Sequence, residues 1–209
     1  MIMHQEQFFG DFREGLPFLG GSLWIDFINT MPVIKGVALD LLSDGPALAS
    51  WARQANIETK HATEADDPGA LHALRSQLSN AFDRLAASEP LQLDLVSVIN
   101  QLIERSAIRR RLADAGATIM LEEHIELAGP PIASAVAWDF AQFLGDFEHQ
   151  RLRHCDNPAC TMQFYDIGKN NRRRWCTMSL CGNRDKVAQY RGRKAAGRAA
   201  PSAHSNESD

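Results

Sequence analysis

Apolar positions in the first 150 residues recur mostly three or four apart, which is the spacing of an amphipathic helix. One such segment follows Ser22, a residue that can cap a helix, and ends before Pro32, because the residue preceding a proline is disfavoured in the helical conformation. Prolines also open three later segments, since proline is favoured in the first helical turn. The pattern predicts helices over 23–31, 45–54, 68 to at least 85, 91–113 and 131–149.

Two other segments favour strands. Residues 36–42 (GVALDLL) alternate in part, although two adjacent leucines interrupt the alternation. Residues 117–127 (ATIMLEEHIEL) fit one or two strands. Together with the helices, these segments predict an α+β, helix-dominated N-terminal domain with a few short strands.

Charge is distributed unevenly along the chain. The 209 residues carry a formal net charge of −4, but positions 1–150 hold 10 Lys and Arg against 21 Asp and Glu, whereas 151–198 hold 12 against 3. This split indicates that the two parts meet different partners, and the basic part suits a polyanion. We therefore divide the chain into a mostly helical domain over 1–150, a basic module over 151–198 and a flexible tail over 199–209.

Several classes of protein do not fit this sequence. No run approaches the roughly 18 uninterrupted apolar residues of a membrane helix, and the first residues lack the basic and apolar regions of a secretory signal. We therefore expect a cytoplasmic protein that does not bind membranes. Ser-His-Asp, G-x-G-x-x-G and P-loop patterns are absent and no cysteine stands apart as a nucleophile, so we expect no enzyme.

All four cysteines lie close together in the basic module. Cys155, Cys160, Cys176 and Cys181 form the pattern C-x4-C-x14-W-C-x4-C. Two close cysteine pairs in a reducing compartment are typical of a tetrahedral zinc site, and thiolates favour zinc over magnesium or calcium. With four protein ligands the ion would be structural, because catalytic zinc keeps a position open. Iron, a disulfide pair or a ligand exchange with His154 are the alternatives.

The residues around the cysteines predict a treble-clef-like module, built from a hairpin and a helix. Phe164-Tyr165 and Arg174-Trp175-Cys176 have strand character, and a helix is predicted from Gly182-Asn183 through Lys194. We expect Asn183 to cap this helix, and Val187 and Tyr190 to pack on the metal site. The candidate nucleic-acid contacts are basic residues of the predicted hairpin and the predicted helix, namely Arg172, Arg173, Arg174, Arg184, Lys186, Arg191, Arg193 and Lys194.

Motifs in both halves of the chain resemble one known family. CDNPAC, RRRWCTMSLCGNR and DKVAQYRGR are similar to the CGNR zinc finger, named for a tetrapeptide that is here 181–184. SLWIDFINT at 22–30 resembles the D-F-x-N-T motif of the ABATE domain, which precedes the finger in that family. A departure occurs at 166–168, which reads D-I-G where D-x-S is expected. The resemblance implies a stress-linked bacterial transcription regulator that binds DNA through the finger.

The identity of the partner stays open at this stage. Duplex DNA is the first candidate, and Arg184 and Arg191, seven residues apart, are candidates for base contacts. RNA binding and docking on an acidic protein surface are alternatives. A small-molecule effector and a homodimer fit a one-component regulator, since a single finger offers little surface for tight specific binding. The early-motif residues Asp26, Asn29 and Thr30 could bind such a ligand or hydrogen-bond the backbone.

Overall fold

The structure is a computed structural model that describes residues 11–34, 36–57, 64–114, 116 and 118–199. In this part of the chain the helices are α1 (Leu23–Ile28), α2 (Gly45–Gln54), α3 (Pro68–Ala86), α4 (Leu93–Ile103), α5 (Pro131–Asp146) and α6 (Asn183–Ala199). The strands are β1 (Asp11–Arg13), β2 (Leu16–Phe18), β3 (Val33–Ile34), β4 (Val37–Ala38), β5 (Ala107–Asp114), β6 (Ile119–Glu126), β7 (Leu152–His154) and β8 (Gln163–Tyr165). They pair consecutively into two-stranded antiparallel ribbons. The α+β, helix-dominated fold class is confirmed.

Helix α1 lies at the centre of the main core. All six of its residues are buried; five are apolar, and the carboxylate of Asp26 accepts the N–H of Gly20. The ring of Trp24 meets the edges of Phe140 and Phe143 of α5 at centroid distances of 5.1 and 5.2 Å, and lies 5.8 Å from Phe82 of α3. On another side, Phe27 contacts Trp51 of α2 at 5.7 Å. The early motif therefore organises the packing of α2, α3 and α5.

The beginning of α1 is capped by a residue distant in sequence. Ser22 occupies the cap position, but its hydroxyl donates to Asp139 Oδ2 of α5 at 2.6 Å. The same carboxylate oxygen accepts the backbone N–H of Trp24 at 2.9 Å. Burial raises the pKa of Asp139 in spite of these hydrogen bonds. The predicted cap position at Ser22 is confirmed, but the side chain that accepts the free N–H is that of Asp139 and not that of Ser22.

The predicted helix over 91–113 is a helix followed by a strand. Helix α4 ends at Ile103, and β5 begins at Ala107. Apolar residues at helical spacing are frequent up to Ile103, whereas 109–111 are three consecutive arginines between Ile108 and Leu112. The arginines at 109–111 look like the polar face of a helix, but in the structure they form ion pairs with glutamates of β6. These cross-strand pairs support a ribbon instead.

Several other elements are shorter than predicted. The segment over 36–42 contains only the two residues of β4, which pair with β3. Helix α1 ends at Ile28 rather than 31, and α5 ends at Asp146 rather than 149. Such boundaries are set by local hydrogen bonds that the apolar pattern does not specify.

The last helix, α6, extends beyond its predicted end at 194. It reaches Ala199, so the predicted tail over 199–209 falls almost entirely outside the described residues. Every side chain described between 186 and 194 is exposed. Among the described helices, none combines the length and the apolar character needed to cross a membrane.

Candidate zinc centre and basic surface

The first two cysteines lie in the loop of the β7–β8 hairpin. Strand β7 pairs with β8 from Leu152 opposite Tyr165 to His154 opposite Gln163. Beyond this pairing the N–H of Cys155 donates to the carbonyl of Met162 at 3.0 Å, and the N–H of Cys160 donates to the carbonyl of Asn157 at 2.8 Å. These bonds fold 155–162 into a tight loop that holds both thiols near each other.

The second pair of cysteines lies at the start of the last helix. A π-helical turn, Met178–Gly182, precedes α6 and contains Cys181. Thr177 caps this turn, since its hydroxyl oxygen accepts the N–H of Leu180 at 3.3 Å. Asn183 is therefore not the cap: it is already helical, and its side-chain amide donates to the carbonyl of Ser179 at 3.1 Å.

The four sulfur atoms converge on a volume that fits one zinc ion. All of them lie within 4.8 Å of one another, and Cys176 Sγ is 3.8 Å from Cys160 Sγ and 3.7 Å from Cys181 Sγ. A tetrahedron with Zn–S bonds of about 2.3 Å requires sulfur separations of about 3.8 Å. The cysteines form no disulfide, and His154 instead contacts Asp83 at 2.8 Å. The four cysteines are the predicted zinc ligands.

Without a cation the four thiols of the cluster cannot all ionise. Burial raises the pKa of the Cys155 thiol to about 11. The hydrogen bond between Cys176 and Cys160 raises the pKa of Cys176, which burial raises further, and lowers the pKa of Cys160 to about 5 against the opposite effect of burial. Four thiolates at this spacing repel one another and lack hydration. A divalent cation compensates this charge, which is why metal binding and folding are coupled in such sites.

Backbone amides complete the surroundings of the sulfurs. Cys155 Sγ accepts the N–H of Cys176 at 3.5 Å and that of Asn157. Cys160 Sγ accepts the N–H of Met162. In both cases the donor in the loop is two residues after the cysteine. Such donors orient ligands and disperse their negative charge once the ion is bound.

After β8, the residues 166–176 form an irregular loop and not a second strand. The predicted strand at Phe164-Tyr165 is confirmed as part of β8, but the predicted hairpin with 174–176 was wrong, because β8 pairs with β7. The loop is organised by Asp166, which is 0% exposed. Its carboxylate accepts the N–H of Gly168 and that of Arg173, both at 2.8 Å. These two bonds close the loop over 166–173.

Arg173 points into the module, in contrast to its basic neighbours. Its guanidinium lies 4.2 Å from the centre of the Phe164 ring and donates to the carbonyls of Trp175 (3.0 Å) and Cys176. Burial lowers the pKa of Arg173. The side chain thus ties the irregular loop to the third zinc ligand, and the structure places it outside the exposed basic surface.

We expect Arg173→Lys to destabilise the zinc module by about 2 kcal/mol, since a lysine ammonium cannot reproduce a planar fork held by several carbonyls. Thermal unfolding and zinc affinity in a competition assay with a chelator would measure the loss. Arg172→Lys is the matched control, because Arg172 is exposed, and it should change neither value. Equal stability of the two variants would contradict the role given to Arg173.

The outer edge of β8 is bound by residues of the first domain. The side chain of Asn29 donates from Nδ2 to the carbonyl of Gln163 at 2.8 Å and accepts the N–H of Gln163 at 2.9 Å. The N–H of Tyr165 donates to the carbonyl of Gly20 at 2.8 Å. Gly20 is fixed in turn by Asp26, whose Oδ1 accepts its N–H at 2.7 Å. We call these contacts the β8 seam.

The early-motif residues therefore have their polar groups inside the protein. Asp26, Asn29 and Thr30 are 9%, 2% and 0% exposed. Thr30 accepts a hydrogen bond from Arg75 at 2.9 Å, and Arg75 also forms an ion pair with Asp40 at 2.5 Å. Of the two roles considered for this motif, the geometry supports hydrogen bonding within the fold, which attaches the zinc module to the core.

Side chains also interlock across the β8 seam. Leu19 of the first domain packs with Met162 and Phe164 beside the cysteines. In the opposite direction, Leu152 and Tyr165 belong to the main core. The two predicted parts of the chain are thus joined by apolar packing as well as by hydrogen bonds.

The remaining predicted basic residues lie on the outside of the module. A groove of about 770 Å³ lies along the loop and is lined by Lys169, Arg172, Arg174 and Trp175 among others. Lys169 was not among the predicted contacts, although its position between turn residues could have indicated it. Arg174 is held by Asp156 at 2.7 Å and lies over the ring of Trp175. Those on the last helix are all exposed, namely Arg184, Lys186, Arg191, Arg193 and Lys194.

Two apolar residues of α6 are exposed as well. Val187 and Tyr190 were predicted to pack on the metal site, but they are 48% and 61% exposed. The metal site is instead covered by Trp175 and by residues of β8. Helix α6 therefore extends away from the zinc centre with apolar and basic side chains both accessible.

Comparison with family models identifies both parts of the chain. The model for ABATE, described as "putative stress-induced transcription regulator", matches residues 21–146. The model for the CGNR zinc finger matches residues 151–194. The chain belongs to the ABATE family. The ABATE match includes the whole early motif, and the CGNR match includes all four zinc ligands. No curated protein matches the chain.

Proposed function

We propose that this ABATE protein is a transcriptional regulator that binds duplex DNA in the cytoplasm through its CGNR module. The observation that carries the proposal is the display of α6, which begins at the zinc centre and exposes five basic side chains between 184 and 194 against one acidic residue, Asp185. An α-helix fits the major groove of B-DNA, which is about 12 Å wide. Lys169, Arg172 and Arg174, which line the groove of the loop that precedes this helix, add further positive charge.

The exposed residues divide into two kinds of contact. Arg184 and Arg191 are seven residues apart, so they lie on one face of α6, and their guanidinium groups suit guanine edges. Lys186, Arg193, Lys194 and Arg172 suit phosphates, which give affinity without sequence information. Arg173 is left out because carbonyl oxygens already bind it. The ABATE domain orients this surface, and its binding of a small-molecule effector stays a prediction.

The test measures the salt dependence of binding. Fluorescence anisotropy with duplex DNA should give a logarithmic plot of affinity against salt whose slope is about −0.9 for each phosphate contact. Replacing Arg184 and Arg191 together by alanine should lower affinity at least about tenfold. The matched control removes two arginines of β5, Arg109 and Arg111, which already pair with glutamates. This control should bind like the wild type.

Two outcomes would contradict the proposal. If the full-length protein with its zinc does not bind duplex DNA at low salt, the basic surface has another partner. If single-stranded RNA of the same length binds more tightly than the duplex, the module is an RNA-binding one. Trp175 makes that second outcome less favoured, because its ring is partly buried and covered by Arg174.

A further inference from the structure

The ribbon formed by β5 and β6 has an exposed apolar face. Alternate residues of paired antiparallel strands share a face, so Ile108, Leu112, Ile119 and Leu121 lie together with Ile125. The first four are 46%, 74%, 66% and 58% exposed. Within the described residues, the two strands pair only with each other. A two-stranded ribbon is marginally stable alone, and an apolar face of this kind marks an interaction surface.

The opposite face of the ribbon is polar. It carries Arg109, Arg111, Glu122, His124 and Glu126 in addition to Met120. Arg111 Nε lies 2.7 Å from Glu122 Oε2 and Arg109 Nε lies 3.0 Å from Glu126 Oε2. The ribbon is therefore amphipathic in the way of a strand pair that packs on a second layer. A partner that covers this ribbon would therefore pack against its apolar face.

The charges of the ribbon point to a protein partner. Residues 107–126 contain three arginines and four acidic residues, a formal net charge of −1. A β-ribbon can enter the major groove of DNA, but such a ribbon needs a positive charge to bind phosphates. This ribbon therefore does not belong to the nucleic-acid surface proposed for the CGNR module.

The apolar face is also complementary to itself. At its middle, Arg110 Nε of β5 lies 2.6 Å from Glu123 Oε2 of β6. The rows on either side are aliphatic, with Ile108 opposite Ile125 and Leu112 opposite Leu121, and the row at the turn end pairs Asp114 with Ile119. Consider two copies whose apolar faces meet, related by a two-fold axis that runs between them parallel to the strands. This axis places β5 of one copy over β6 of the other. Each Arg110 then faces a Glu123, and each aliphatic row faces its own equivalent.

We propose that this face binds the same face of a second copy of the chain, so that the two ribbons pack as a small sandwich and form a dimer. Strands of eight residues are about 26 Å long, and a pair is about 10 Å wide. Such a face is smaller than the roughly 800 Å² per partner of a stable interface. The dimer is therefore a weak, transient one.

Charge exchange between copies tests this arrangement without DNA, so its outcome is independent of the proposed function. Sedimentation of the zinc-loaded, full-length protein should show a concentration-dependent dimer. Arg110→Glu places glutamate over glutamate, and Glu123→Arg places arginine over arginine, so each variant should dissociate at least about tenfold more readily. An equimolar mixture of the two variants should dimerise again. Neither variant regains the pair within its own chain, so only contact between copies explains rescue.

The matched control is Arg111→Glu, which breaks a similar ion pair on the polar face and should leave the dimer unchanged. Circular dichroism and zinc content verify that each variant is folded, and Leu112→Gln should weaken the dimer without changing any charge. The proposal is overturned if the wild type stays monomeric at concentrations on the order of 1 mM, where even a dimer with a millimolar dissociation constant is substantially formed. It is also overturned if the mixture of charge variants stays monomeric, or if Arg111→Glu disrupts the dimer as strongly as Arg110→Glu.

Discussion

Removal of the metal, or Cys176→Ser, is expected to unfold the zinc module while the aromatic core around Trp24 stays folded. Apart from the cysteines, the cluster beside the ion contains few fully buried apolar side chains, namely Leu19, Met162 and Phe164. A core of this size cannot offset the conformational entropy of some 40 residues. Structural zinc contributes about 10–16 kcal/mol in comparable small sites at neutral pH. Losing it should therefore release the whole module.

Hydrogen exchange measured with and without a chelator would check this expectation. Amides over 155–182 should lose protection without metal, whereas those of α3 and α5 should keep it. Metal analysis of the purified protein should give one zinc per chain. Met178→Ser is a suitable control, because this residue lies two positions after Cys176 and is 54% exposed. Unchanged protection over 155–182 in the metal-free protein would show that the module does not need the ion.

The zinc ligands could be predicted from the sequence because the chemistry limits both residue type and spacing. The chain has four cysteines, all within 27 positions, and a structural zinc site needs four ligands, so each cysteine is used. The helices with one buried apolar face were predictable for a similar reason, because apolar residues three or four positions apart indicate such a helix. In both cases the information is local in sequence.

The β8 seam could not be predicted in this way. Asn29 and Gln163 are 134 positions apart, and an asparagine side chain bonded to a distant peptide has no spacing rule. The cap of α1 by Asp139 is a similar case, with its partners 115 and 117 positions apart. The ribbon of β5 and β6 was missed for a different reason, because IRRRL fits both an exposed helix and a strand with cross-strand ion pairs. Only the partner strand distinguishes the two.

The seam gives the early motif a physical role in orienting the basic surface. Asp26 accepts the N–H of Gly20, and the carbonyl of Gly20 accepts the N–H of Tyr165 in β8. Asn29 donates to the carbonyl of Gln163 in the same strand. A Cβ atom on residue 20 would lie 2.5 Å from Ile25 Cγ2, so this close approach requires glycine. Because the same hairpin carries Cys155 and Cys160, the direction of α6 follows from the seam together with the zinc tetrahedron.

Asn29→Asp is therefore expected to have a large effect far from the metal. The new carboxylate could still accept the N–H of Gln163, but it would face the carbonyl of Gln163 where the amide now donates. The site is 2% exposed, so the charge would lack water and would keep the Gln163 N–H as its donor while facing the Gln163 carbonyl. The expected loss is about 3–5 kcal/mol, or roughly 10 °C in melting temperature for a chain of this size.

A pH series separates this mechanism from a simple packing defect. Burial raises the pKa of the introduced carboxyl above its unfolded value of about 3.9. Its destabilising effect is thus complete above the folded pKa and shrinks as the pH falls through it, because a protonated carboxyl can donate to Gln163 again. Thermal unfolding of the variant and the wild type should therefore converge in acid. Asp83→Asn, at the exposed His154 contact of the same hairpin, should cost less than about 1 kcal/mol. A constant difference at every pH would show that the Asn29 amide does not bond to the Gln163 peptide as the structure shows.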